Sequence, residues 1–217
     1  PHFDARGTFC RQLEKCSVDC FDFYLLHNVC ENSIDAYLDA NLRILDQVLE
    51  QKQAGHIRQL GFSCHARPEL LQAYLDRYPG CFSFVQIQLN YLDWTLQQAK
   101  EKYELLTQLE LPVLVMEPVR GGKLTQLKPE QLAKLQARRP GWSAAEWAFR
   151  FVQQLPNVAV TLSGMSTLEQ AQENLRTFSR PETLTDADLA LLAEIAGSLA
   201  TKLPCTGCRY CCKGCPK

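Results

Sequence analysis

The chain has 217 residues, 46% of them hydrophobic and 22% charged, a balance that supports a globular fold with a sizeable core. Its formal net charge of −1 excludes a global field that would draw nucleic acid or an anionic membrane surface. The longest apolar runs, such as residues 111–116, are too short to span a bilayer, and no basic segment leading into an apolar one marks a secretion signal. The chain opens at Pro1 without a Met and stops at Lys217, so it reads as a fragment of a longer protein.

In chain order, short apolar runs alternate with longer amphipathic stretches. The runs are residues 21–27, 57–63, 82–90, 111–118 and 158–164, each rich in Val, Ile, Leu or Phe as a buried parallel strand is. Between them, residues 34–52 place Ile34, Leu38, Leu42, Leu45, Val48 and Leu49 near a 3.6-residue period, which predicts one helix. The segments 68–77, 96–109, 129–137, 143–154 and 167–178 read the same way. Pro68 sits where a helix start loses nothing by a missing N–H. Ser143 precedes Glu146 by three, the spacing of a capping box.

Five strand–helix units in a row argue for an α/β fold, a parallel sheet covered by helices. Two architectures satisfy that pattern, an open doubly wound sheet or part of a (β/α)8 barrel. No GxGxxG follows any of the five strands, which counts against a doubly wound dinucleotide-binding domain. After residue 178 the alternation stops. Thr185 or Asp186 caps a helix over 186–199, and Leu203-Pro204 ends it. The chain thus divides into a barrel segment (1–180), a helix and connector (181–204) and a cysteine segment (205–217).

Five of the eleven cysteines fall in that last segment, and six stand singly over the first 81 residues. The scattered ones suit a reducing cytosol, where a thiol is a small apolar side chain. Cys205, Cys208, Cys211 and Cys215 have the spacing C-x2-C-x2-C-x3-C followed by Pro216, the ligand run of bacterial ferredoxins. Three thiolates three residues apart can wrap three corners of a [4Fe–4S] cubane, and Gly207 and Gly214 give the loop its freedom. Zinc or local disulfides are the alternatives, but zinc sites usually separate two CxxC pairs by about a dozen residues or more. In two-cluster ferredoxins the fourth Cys serves the other cluster. A second motif for Cys215 would then lie beyond Lys217.

A family resemblance begins at DFYLLHN (22–28), which resembles the fourth strand of aldo/keto reductases, ending in a His at the barrel mouth. The preceding RQLEKCSVDCFD (11–22) is similar to the helix and turn that enter that strand. IRQLGFSCH (57–65), FVQIQLNYLD (84–93), VLVMEPVRGGKL (113–124) and LSGMSTLEQAQENL (162–175) continue it in order. With the cysteine segment, the whole resembles the ferredoxin-tailed branch of that family. The resemblance implies the last five units of a TIM barrel in a cytoplasmic NAD(P)H-dependent oxidoreductase. It further implies a small carbonyl substrate, and a 4Fe-4S cluster that relays electrons to a partner or stabilises the tail.

By the same resemblance His27 hydrogen-bonds the substrate carbonyl, and Ser63 and Gln86 hold the nicotinamide. Glu117 stands where many relatives place an aromatic ring against it. Pro118, Arg120, Gly121 and Gly122 follow the next strand, and paired Gly lets backbone N–H groups approach a pyrophosphate. Ser163 and Gly164 end the last strand before a helix N-terminus, where free N–H groups and the dipole favour phosphate. Gln170, Glu173 and Asn174 match positions that contact the adenosine end of NADP(H) or NAD(H). Many relatives carry Arg at the position of Gln170. The family's Tyr acid, with its Lys and Asp, belongs to units that precede the resemblance, and His2, His56 and His65 receive no role from it. Other readings are an iron–sulfur electron-transfer or binding module on a catalytically inactive barrel, and a non-catalytic partner protein. Five strands with open edges predict poor solubility of the segment alone.

Overall fold

The structure is a computed structural model and describes residues 4–200. The expected cluster ligands Cys205, Cys208, Cys211 and Cys215 lie outside the described residues. Helix α1 (Ala5–Cys16) starts at Asp4, whose side chain accepts the Gly7 N–H, and stops at Ser17 in the left-handed region. Strand β1 (Phe21–Val29) leads into α2 (Ile34–Leu38) and α3 (Ile44–Gln53). Then come β2 (Ile57–Cys64), α4 (Pro68–Arg77), β3 (Phe84–Gln88), α5 (Asp93–Leu96), α6 (Ala99–Gln108) and β4 (Val113–Met116). A 3-10 turn (Lys123–Thr125) precedes α7 (Pro129–Arg138), α8 (Ala144–Gln153), β5 (Val158–Thr161), α9 (Leu168–Ser179) and α10 (Asp186–Leu199).

The five strands form one sheet in the order β1-β2-β3-β4-β5. β1 and β2 pair in parallel from Phe21↔Ile57 to Val29↔Cys64, and β2 and β3 from Gly61↔Phe84 to Cys64↔Ile87. Chain-order pairing without a reversal is the (β/α) barrel pattern and not the doubly wound one. Strand order therefore decides what periodicity left open.

Two compact units divide the chain, and the cut passes through β3 and β4. The first unit holds the described residues up to Ile87 with Glu101–Leu114. Its core lies where β2 and β3 meet α4. Phe62 meets Tyr74 and Phe82 edge-on at centroid distances of 5.1 and 4.7 Å, and Leu60, Leu71 and Ile87 are fully buried. Each such side chain contributes about 1.5–3 kcal/mol by leaving water. On the opposite face Gly61 gives way to the Phe84 ring, because a Cβ there would lie 2.5 Å from it.

The second unit holds Gln88–Lys100 and the described residues from Val115 on. Helix α8 buries Trp147, Ala148, Phe149, Phe151 and Val152, which leaves little of its surface polar. Arg150 on the same helix is also buried, pairs with Glu146 at 2.9 Å and lies over the Trp142 ring. Between α7 and α10, Asp188 is fully buried and accepts from Arg138 Nε (2.7 Å), Arg139 (2.6 Å) and the Thr185 N–H (2.9 Å). Thr185 is the N-cap of α10, so the first of the two expected caps is the one used.

Several boundaries differ from expectation, each for a local reason. The single helix predicted over 34–52 is two helices. Asp39 Oδ1 accepts the Asn41 N–H at 2.7 Å, a local bond that competes with helical pairing, and Arg43 takes φ 46°. The pattern at 96–109 breaks at Gln98, with φ 51°. At Ser143 the capping box is half formed. Ser143 Oγ accepts the Glu146 N–H, while the Glu146 carboxylate turns to Arg150. Strand β5 stops at Thr161, and Val160 and Leu162 are exposed.

Two predictions follow from this packing. Gly61→Ala should lower the urea midpoint of unfolding by an amount equivalent to about 1–3 kcal/mol, since the Phe84 ring cannot yield without leaving its site. The second concerns acid. Burial by itself would raise the Asp188 pKa, but hydrogen bonds from Arg139, Thr185 and Arg138 overcome it and hold the carboxyl well below the usual range. A depressed native pKa stabilises the fold above the unfolded value of about 3.9, and that stabilisation is lost as pH falls through the native one. Asp188→Asn should therefore be less stable than the parent at pH 7, with the difference shrinking in unfolding curves taken below about pH 4.

Candidate functional site

The second unit contains a cavity of about 570 Å³ between the segment after β4 and the N-terminal half of α9. Eight residues singled out in the sequence line it: Pro118, Gly121 and Gly122 on one side, Ser163, Gly164, Gln170, Glu173 and Asn174 on the other. Glu117 lines it as well, and Phe149, Leu162 and Met165 give it an apolar wall.

The segment after β4 is tightly wound. Glu117 (φ 58°), Arg120 (φ 52°), Gly121 (φ 59°) and Gly122 (φ 83°) all adopt the left-handed region. For the two non-glycine residues this costs on the order of 1–2 kcal/mol each, which neighbouring bonds must offset. Asp93 supplies them. It is fully buried, and its Oδ2 accepts from Gln88 Nε2 (2.7 Å), Asn90 Nδ2 (2.7 Å) and Arg120 Nε (3.1 Å). Asn90 Nδ2 also donates to the Glu117 carbonyl at 2.9 Å, and Asn90 Oδ1 accepts the N–H groups of Leu92 and Asp93. Arg120 is only 4% exposed and does not line the cavity, because its guanidinium turns back to Asp93. Burial raises the Glu117 pKa. The Gly121 N–H opposes that rise, the Asp93 charge adds to it and Arg120 lowers it again, leaving a net increase.

Across the cavity, Thr167 caps α9 by accepting the Gln170 N–H at 3.3 Å. The Gln170 carboxamide closes the reciprocal half of the box on the N–H groups of Ser166 (2.7 Å) and Thr167 (3.3 Å). Asn174 Nδ2 donates to Ser163 Oγ at 3.0 Å, and Ser143 donates to the Glu173 carboxyl. This wall presents amide, hydroxyl and acid groups on rigid backbone.

The first unit carries the other expected residues. His27 is exposed near the end of β1. Its carbonyl accepts from Tyr37 Oη at 2.6 Å. The next residue, Asn28, takes φ 62°, and the β1–β2 register shifts there. Ser63, 1% exposed, repairs the gap by accepting the Asn28 N–H on its Oγ at 2.7 Å. Gln86 faces Ser63 in the β2–β3 register, so the two share one face of the sheet.

Sequence reasoning assigned nothing to His65 or Lys102. His65 follows β2 and donates its backbone N–H to the Val29 carbonyl at 3.0 Å. The residue is exposed, yet the protein packed around it lowers its pKa by desolvation, and Lys102 and His27 lower it further. Lys102 is 2% exposed and reaches the Ala66 carbonyl at 3.3 Å. Nor did any spacing signal mark Asp93 as the brace of the β4 segment, since an Asp followed by Trp reads as an ordinary helix start. Among the described residues no group of three or more His, Cys, Asp or Glu is placed to hold a metal ion. The Cys64 thiol is pushed up to about 11 by burial and stays protonated at neutral pH.

Asp93→Ala should destabilise the second unit by about 3–5 kcal/mol, because it removes three hydrogen bonds and one charge of a buried pair. Thermal unfolding followed at the tryptophans of that unit checks it. Ser63→Ala should cost about 1–3 kcal/mol by leaving the Asn28 N–H without its acceptor.

A sequence profile described as the aldo/keto reductase family matches residues 4–196. The uncharacterized oxidoreductase YqkF of Bacillus subtilis is 24% identical over 204 residues, covering 84% of this chain and 62% of that protein. The chain thus spans about 62% of the length of this curated relative. An aldo-keto reductase from Bacillus halodurans, in its holo form, superposes with a TM-score of 0.69 at 23% identity, over 88% of this chain and 66% of that one. A thermostable aldo-keto reductase solved with the inhibitor epalrestat gives a TM-score of 0.69 at 18% identity, over 87% of this chain and 65% of that one. No helix among the described residues is long and apolar enough to cross a membrane. With the profile running through every strand and nearly every helix of the described structure, the chain belongs to the aldo/keto reductase family.

Proposed function

We propose that the chain is the C-terminal part of an NAD(P)H-dependent reductase of small carbonyl compounds, with a [4Fe–4S] cluster in its tail. The observation that carries the cofactor reading is the gathering of eight sequence-singled residues around one cavity of the second unit. The donor set fits part of a dinucleotide. The Gly121–Gly122 pair has no side chain to hold a pyrophosphate off the backbone, its N–H groups being already given to the Glu117 carboxyl and the Val119 carbonyl, and the side chains of Ser163 and Asn174 suit an adenosine. The volume lies within the usual range for ligand cavities of about 300–1,000 Å³.

When bound, the nicotinamide supplies the hydride. The protein's part is to hold and orient. Ser63 Oγ, whose lone pair takes the Asn28 N–H, retains its own proton to donate to a carboxamide. His27, its backbone pinned by Tyr37, offers a ring N–H to the carbonyl oxygen. Proton donation by a Tyr, with its Lys and Asp, belongs to the whole reductase. The cluster reading rests on the spacing of Cys205, Cys208, Cys211 and Cys215, with Cys212 as the surplus thiol. The cluster relays electrons to a partner or ties down the tail.

Two measurements on the chain test this. Titration with NADH and NADPH, followed by cofactor fluorescence, should show saturable binding that Asn174→Ala weakens by about tenfold, the loss of one or two good hydrogen bonds. Anaerobic reconstitution should give about four irons and four sulfides per chain with an EPR signal on reduction. A cluster without dinucleotide binding would favour the iron–sulfur module on an inactive barrel. Zinc or no metal would remove the cluster.

A further inference from the structure

The cavity assigned to an anionic dinucleotide has an unexpected lining. Glu117 and Glu173 face into it, and among the described residues that line it none is Lys, Arg or His. Arg120 is adjacent in sequence but turned away, with its Nε on Asp93. A cavity with acidic walls should repel a diphosphate unless an acid gives up its charge.

Glu117 is the acid built to do so. Its Oε2 is buried without a hydrogen-bond partner, and so is Asp93 Oδ1. Its backbone is fixed in the left-handed region, with its carbonyl held by Asn90 Nδ2 at 2.9 Å and by the Arg120 N–H at 2.9 Å. The groups facing it are few. Asp93 comes from α5, Arg120 and the Gly121 N–H from its own turn, and Glu173 from α9 shares the cavity wall. Helix α8 contributes only Ala145 and Phe149. Asp93 already takes the Arg120 Nε, which leaves Glu117 less compensated than its neighbour. Glu173 differs, because its carboxyl already receives the Ser143 hydroxyl.

We propose that Glu117 controls dinucleotide entry to this cavity: as a neutral carboxyl it admits the dinucleotide diphosphate, and as a carboxylate it opposes binding. This rests on the dinucleotide reading of the cavity and adds the electrostatic condition under which the cavity fills. The burial and Asp93 charge that raise the Glu117 pKa place the change above the ordinary glutamate value of about 4.3. Affinity should be highest at acid pH and fall as pH rises.

NADH is the probe, because its diphosphate does not titrate in this range, whereas the 2′-phosphate of NADPH would. Its dissociation constant is measured by fluorescence from pH 5 to 8.5 for the chain, Glu117→Gln and Glu173→Gln, with circular dichroism confirming that each is folded. The chain should lose about tenfold in affinity across the range, the effect of one like charge nearby at a partly screened site. Glu117→Gln should bind tightly and without pH dependence, while Glu173→Gln should keep the slope of the parent. Flat binding by the chain, or a slope that survives in Glu117→Gln, would overturn the proposal and leave the dinucleotide reading standing. Failure of all three proteins to bind NADH at any pH would overturn the dinucleotide reading and this inference with it.

Discussion

Asp93 accepts three side-chain hydrogen bonds on a single oxygen, from Gln88, Asn90 and Arg120, and it does so with no exposure to water. A buried carboxylate without such partners would protonate or unfold its surroundings. With them, it fixes the loop after β3 to the turn after β4, and that turn can hold Glu117 and Arg120 in a backbone region that side chains disfavour. On the β4 side of the cavity this contact anchors the turn at Arg120, and the turn's own backbone bonds carry the rest. The same bond that shapes the turn also removes the Arg120 charge from the cavity wall, so the architecture of the site and its electrostatics have one cause.

The first unit solves a smaller problem of the same kind. Asn28 enters the left-handed region and takes its N–H out of the β1–β2 ladder. Ser63 Oγ accepts that N–H, and Ser33 Oγ donates to the Asn28 carbonyl at 2.6 Å, so both backbone polar groups of Asn28 are satisfied by side chains. Backbone groups away from water demand such accounting. The result is a strand end whose backbone polar groups are satisfied and on which His27 stands exposed. Irregular backbone at the end of a regular strand is where barrel proteins place chemistry, because a rigid strand positions a residue that a loop would leave free.

Much of the fold was legible in the residues. Pro68 and the amphipathic pattern over 68–77 located α4 to the residue, because a proline at a helix start and an apolar stripe are both local signals. The apolar runs located all five strands, with ends off by one to three residues where packing, not composition, ends the pairing. The helix predicted over 34–52 failed for a reason that periodicity does not contain. The apolar stripe continues through Leu42, but Asp39 offers the backbone a competing bond and the chain turns. Gln170 teaches a similar lesson. Its placement beside the cavity followed from the sequence, while its use as the second half of a helix cap depended on where Ser166 and Thr167 point.

The sequence by itself determined the alternation of strands and helices, the residues gathered at the strand ends, the family and the spacing of Cys205, Cys208, Cys211 and Cys215. These are matters of local pattern and order, which one dimension can carry. Tertiary structure alone decided that the strands pair in chain order, that Arg120 faces a buried Asp93 and not the cavity, and that Glu117 keeps a buried oxygen without a hydrogen-bond partner. Those outcomes depend on which side chains meet across segments distant in the chain, and on how many partners each charge finds once water has gone. A given Glu or Arg reads the same wherever it stands in a sequence; burial and geometry decide which partners its charge finds.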